Sequence, residues 1–144
     1  MANPTTNYGW QMPTPTDLVT DLPADFEVFG QAVDNSLLAA QNLAFNAQVG
    51  TTYTLVPGDK YKLVTTSNGS PITVTIPTGV FTAGQSINVQ SIGVGLTTIS
   101  GGSVTITSTG AGTLGNAPIL RARFSAATII CTAAGVFTVI GDIS

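Results

Sequence analysis

The sequence contains no histidine, one cysteine and very little charge: charged residues are 8% of its 144 positions, against about 25% in an average soluble domain. Without histidine, the commonest general base and metal ligand are both missing. A lone Cys131 permits no internal disulfide and no zinc site, and neither a Cys–His nor a Ser–His pairing can exist. Carboxylates are scarce beyond the first fifty residues, where only Asp59 and Asp142 occur. That is thin for catalysis by two converging carboxylates. The only basic residues are Lys60, Lys62, Arg121 and Arg123, which argues against a nucleic-acid partner. No apolar run approaches the roughly 18 residues of a membrane span. Met1-Ala2-Asn3-Pro4-Thr5 has neither the basic nor the apolar segment of a signal peptide, so the chain is expected to be made in a cytoplasm. Gly93-Val94-Gly95 and Gly110-Ala111-Gly112 lack the lysine and following helix of a phosphate loop. These absences predict a protein that is not an enzyme and carries no cofactor or metal.

Hydrophobic residues make up 43% of the chain, and Thr, Ser, Gly, Asn and Gln supply most of the polarity. Charge keeps proteins apart in solution, so such a surface suits a protein whose faces are covered by partners or by copies of itself. The charge is also divided along the chain. Asp17, Asp21, Asp25, Glu27 and Asp34 precede residue 50 without a single Lys or Arg, while all four basic residues follow it. An acidic segment on a mildly basic domain predicts contacts between neighbouring copies. The plainer alternative is that these carboxylates favour a helix N-terminus.

Three segments are expected. Residues 1–20 hold Pro4, Pro13 and Pro15 among Thr, Asn and Gly, which predicts an extended docking arm. Tyr8 and Trp10 on this arm either pack back on the chain or anchor it in a partner. Residues 21–48 read as one helix, with Asp21 as N-cap and Pro23 in the first turn. Leu22, Phe26, Phe29, Val33, Leu37, Ala40 and Ala44 fall on one face. That stripe suits a short coiled coil, three-stranded by preference, or an amphipathic helix packed on its own domain. Residues 51–144 switch to apolar/polar alternation, as in Ile72-Thr73-Val74-Thr75-Ile76 and Ile87-Asn88-Val89-Gln90, with turn signals such as Asn68-Gly69 and Ala134-Gly135. The fold class expected is mainly β: a small antiparallel β-sandwich or barrel of about nine short strands, preceded by the arm and one α-helix. Cys131 falls in an apolar run and is expected to be buried. Ser108 to Pro118 reads as a loop, no repeat of fixed period is evident, and Arg121 and Arg123 alternate within an expected strand.

Asn7-Tyr8-Gly9-Trp10, Pro13-Thr14-Pro15-Thr16-Asp17-Leu18-Val19 and Gly30-Gln31-Ala32-Val33-Asp34 resemble the N-termini of virion structural proteins of tailed bacteriophages, especially those infecting actinobacteria. Ile72 to Pro77, Ala83 to Val89, Leu120 to Ala127 and the closing Val139 to Ser144 are similar to a small β-domain of the same proteins. The resemblance implies a multi-copy, trimeric component of the virion exterior, made in the host bacterial cytoplasm. The arm would bind the major capsid protein or other virion proteins while the β-domain projects. The economy of one arm, one helix and one domain favours a capsid decoration (cement or head-fiber) protein. The alternative is a minor tail or tail-fiber protein whose β-domain binds a receptor or host-surface glycan. The candidate partner-binding residues are Tyr8, Trp10, Asp17, Phe26, Phe29, Arg121 and Arg123.

Overall fold

The computed structural model describes residues 9–10, 19–20, 22–108 and 117–144, so most of the expected arm, the Asp21 cap and the centre of the loop expected after Ser108 lie outside the described residues. The chain divides into two compact units, Met1–Asn42 and Leu43–Ser144.

In the first unit, α1 spans Leu22–Gln41. Pro23 and Asp25 occupy its first turn, where a missing N–H costs nothing and a carboxylate complements the helix dipole. The helix was expected to run on to residue 48, because the apolar spacing continues through Ala44. It stops instead at Gln41, where the Asn42 side chain donates to the Leu38 carbonyl (3.0 Å) and satisfies one of the last-turn acceptors. Residues that would have extended the helix form a strand, because tertiary pairing outweighs local periodicity.

The second unit is mainly β, as expected, and the described residues comprise one α-helix and nine strands. The strands are β1 (Phe45–Gln48), β2 (Thr52–Thr54), β3 (Leu63–Thr66), β4 (Ile72–Thr75), β5 (Ser86–Ser91), β6 (Thr97–Ser100), β7 (Thr105–Ser108), β8 (Ala126–Ala133) and β9 (Val136–Gly141), with a 3-10 turn at Pro57–Asp59. They form a six-stranded sheet, β1-β3-β5-β8-β9-β7, and a three-stranded sheet, β2-β4-β6. Here the expectation of antiparallel pairing needs correction, for the sheets are mixed. Parallel pairing joins β1 to β3, β3 to β5, β2 to β4, β4 to β6 and β7 to β9, while β8 lies antiparallel to β5 and β9. From β1 to β6 the chain alternates between the two sheets and advances one strand per circuit, as in a short parallel β-helix. Parallel neighbours normally need a helical crossover. Here the strand of the opposite sheet serves as the crossover, which keeps each circuit short.

Successive circuits align Phe45, Leu63 and Asn88 in one sheet and Thr52, Thr73 and Thr98 in the other. These steps are unequal in length, so no fixed repeat is visible in the sequence. The turns between the sheets stack closely. Asn68 ties three of them together: its side chain donates to Val49 O (2.7 Å) and accepts from Ser70 N (2.9 Å), and its carbonyl accepts from Gly95 N (2.9 Å). Asn68-Gly69 is therefore a corner between sheets and not a hairpin, whereas Ala134-Gly135 does turn the β8–β9 hairpin, with Gly135 at φ +71°.

One core fills the space between the sheets. Alternate residues point inward, among them Val64, Val74, Ile87, Val89, Ile99, Ile129, Phe137 and Val139, each contributing on the order of 2 kcal/mol. Phe81 meets Phe137 edge to face with centroids 6.4 Å apart. Thr66 and Thr97 share a buried hydroxyl–hydroxyl bond of 2.6 Å, which satisfies both groups inside an apolar interior. Cys131 is buried as expected, and burial pushes its thiol pKa up, away from the reactive thiolate. Ile119 to Phe124 is not a strand: isolated bridges at Ile119 and Leu120 lead into a bend at residues 122–124.

Candidate interaction surfaces

Among the described residues no group of three or more His, Cys, Asp or Glu side chains could hold a metal ion, and no helix is long and apolar enough to cross a membrane. The polar chemistry gathers at three places.

The first is the helical unit. Trp10 lies edge to face against Phe29 (5.9 Å between centroids), and its indole N–H donates to Ser36 Oγ (3.1 Å). Ser36 in turn donates to the Ala32 carbonyl (2.8 Å). Two of the candidate anchors, Trp10 and Phe29, are thus engaged with each other inside this unit. Tyr8 and Asp17 lie outside the described residues. Phe26 remains 59% exposed and Leu37 57%, and no residue of α1 is buried. Gly30 stands within this stripe with nothing within 4 Å of the place a Cβ would take.

The second is a buried carboxylate. Asp59, only 1% exposed, accepts from Asn46 Nδ2 (2.6 Å), Tyr53 Oη (2.8 Å) and Val56 N (2.8 Å). Gln48 extends the network by donating to Asn46 Oδ1 (2.6 Å). The 3-10 turn presents the carboxylate to the inward side of β1, so the first circuit closes on hydrogen bonds. Burial, and next the Asp59 carboxylate, raise the Tyr53 pKa above the ordinary phenol value. A pKa raised by folding stabilises fully below the unfolded value near 10 and is lost as pH climbs through the folded value. A pH titration of thermal stability is therefore expected to fall more steeply above about pH 10 in the wild type than in Tyr53→Phe; parallel curves would show that Tyr53 is not coupled to folding.

The third is the corner before β8. Arg121 Nε is paired with Asp142 Oδ1 at 2.6 Å, and Asp142 Oδ2 accepts from Ser125 Oγ at 2.6 Å. The hydrogen bond from Arg121, reinforced by Ser125, holds the Asp142 carboxyl below its usual range. Arg121 and Arg123 do not share a strand face, because the chain bends at residues 122–124. Arg121 is occupied by Asp142, whereas Arg123 Nε donates to Ile92 O (3.0 Å) and its guanidinium lies 4.6 Å from the Phe124 ring centroid.

Two aromatics whose strand-like pattern predicts a core role are exposed instead. Tyr61 (φ +61°) and Phe124 (φ +70°) are the non-glycine residues in left-handed backbone among those described. They are 58% and 61% exposed. Their period-two surroundings make both look like strand residues, and nothing in the sequence marks a positive φ at a Tyr or Phe. Comparison with family models, with curated proteins and with solved structures finds no match.

Proposed function

We propose that this chain is a structural component of a bacteriophage virion exterior, a homo-oligomeric capsid decoration protein that attaches through its N-terminal unit and projects its β-domain. The observation that carries the assembly reading is α1: a helix of 20 residues with no buried side chain and with Phe26, Val28, Leu37 and Leu38 exposed. Most helical stability in proteins comes from packing one face, so such a stripe calls for cover. The scarcity of charge and the resemblance of the N-terminal motif to phage virion proteins support the same reading. Purified particles imaged by electron microscopy with a tag at the C-terminus test it. Labels at three-fold or quasi-three-fold capsid positions are expected. Labels confined to the tail tip would replace decoration with a tail-fiber role, and their absence from particles would defeat the proposal.

A further inference from the structure

Three of the four basic residues of the chain adjoin the two strained, exposed aromatics: Lys60 and Lys62 flank Tyr61, and Arg123 precedes Phe124 with its guanidinium 4.6 Å from the ring centroid. Left-handed backbone is costly for an aromatic residue and persists only where the surroundings impose it, which makes such positions candidates for function. Here the two ends of one strand impose it. Tyr61 N donates to Ser86 O (2.7 Å) at the start of β5, and Phe124 N donates to Ser91 O (2.6 Å) at its end. The two backbone contacts are therefore about 17 Å apart along β5, at roughly 3.3 Å per residue, with Tyr61 on its β3 side and Phe124 on its β8 side. Between them, the outward row Phe45, Leu63, Asn88, Thr128 and Ile140 crosses the sheet without a charge. Among the described residues only Arg121 has a carboxylate partner, and both carboxylates of this unit are already engaged.

The helical unit carries the complement. Phe26 and Leu37 lie on one face of α1, about 16 Å apart at 1.5 Å per residue. Asp25 and Glu27 flank Phe26, and Asp34 stands one turn before Leu37. Two carboxylates beside one apolar anchor are thus the complement of two lysines beside one aromatic, and a single carboxylate is the complement of Arg123, which has no carboxylate partner among the described residues. We propose that α1 of one copy docks across β5 of a second copy, with Phe26 seated at Lys60-Tyr61-Lys62 and Leu37 at Arg123-Phe124. The contact is heterologous, since the two surfaces differ, and closes into a ring or runs on as a filament. It is read from the chain's own residues and holds whether or not the assembly belongs to a virion.

Sedimentation of the full chain tests it. The wild type is expected to associate, and Tyr61→Gly and Phe124→Gly to weaken association about 30-fold or more, as loss of an interface hot spot does. Glycine relieves the left-handed backbone, so these variants remain folded and isolate the loss of the anchor. Reversing the patch (Lys60→Glu, Lys62→Glu, Arg123→Glu) or the helix (Asp25→Lys, Glu27→Lys, Asp34→Lys) is expected to give monomers that associate when mixed one to one. A monomeric wild type, association unchanged in both glycine variants, or folded reversal variants that stay apart when mixed would each overturn the proposal.

Discussion

An Asp59→Ala variant is expected to lose about 3 kcal/mol of stability, which corresponds to a fall of roughly 15 °C in Tm for a domain of this size. The substitution removes little volume. It leaves Asn46 Nδ2, Tyr53 Oη and Val56 N without the acceptor they share, and unmade hydrogen bonds to a charged group cost more than made ones contribute. Asp59→Asn keeps one acceptor oxygen but sets an amide N–H₂ against donors, so its Tm is expected between those of the wild type and the alanine variant. An Asp59→Ala protein that melts with the wild type would show that solvent reaches these donors and that the first circuit is not closed as described.

Gly95→Ala is expected to be at least as damaging, at about 4 kcal/mol, with its urea midpoint as the readout. A Cβ at residue 95 would collide with the backbone of Ser70 and Pro71, and one at residue 93 with the backbone of Asn68. Neither obstacle is a flexible side chain that could swing aside. Gly69 lies in the same stack of turns with open space around it, so Gly69→Ala is expected to change stability by less than about 1 kcal/mol. Equal midpoints for Gly95→Ala and Gly69→Ala would rule out the close stacking of successive circuits.

The glycines show how legibility varied along the chain. Gly93-Val94-Gly95 was readable only as a phosphate loop that lacked its lysine, because the backbone that demands both glycines comes from residues 68–71 of the previous circuit. Alternation in Ile72 to Ile76 and Ile87 to Gln90 correctly marked one buried and one outer face. It could not report the direction of the neighbouring strand, since a period of two is the same in parallel and antiparallel sheets. Leu120-Arg121-Ala122-Arg123 imitates that pattern but turns outward, where Asp142 holds Arg121 and Ser91 receives the Phe124 N–H. Of the candidate site residues, Trp10 and Phe29 come together, Phe26 stays exposed, and Arg121 proves to be an internal partner.

The sequence by itself determined the mainly β class, the presence of a helix beginning near Leu22, the burial of Cys131 and the separation of acidic from basic residues. These follow from composition and from spacings within a few residues, which local physics reads directly. Only the tertiary structure decided the parallel winding, the end of α1 at Gln41, the buried seat of Asp59 and the left-handed placement of Tyr61 and Phe124. Each of these depends on groups brought together from different circuits or from opposite ends of a strand, and hydrogen bonds between such groups leave no period in the chain.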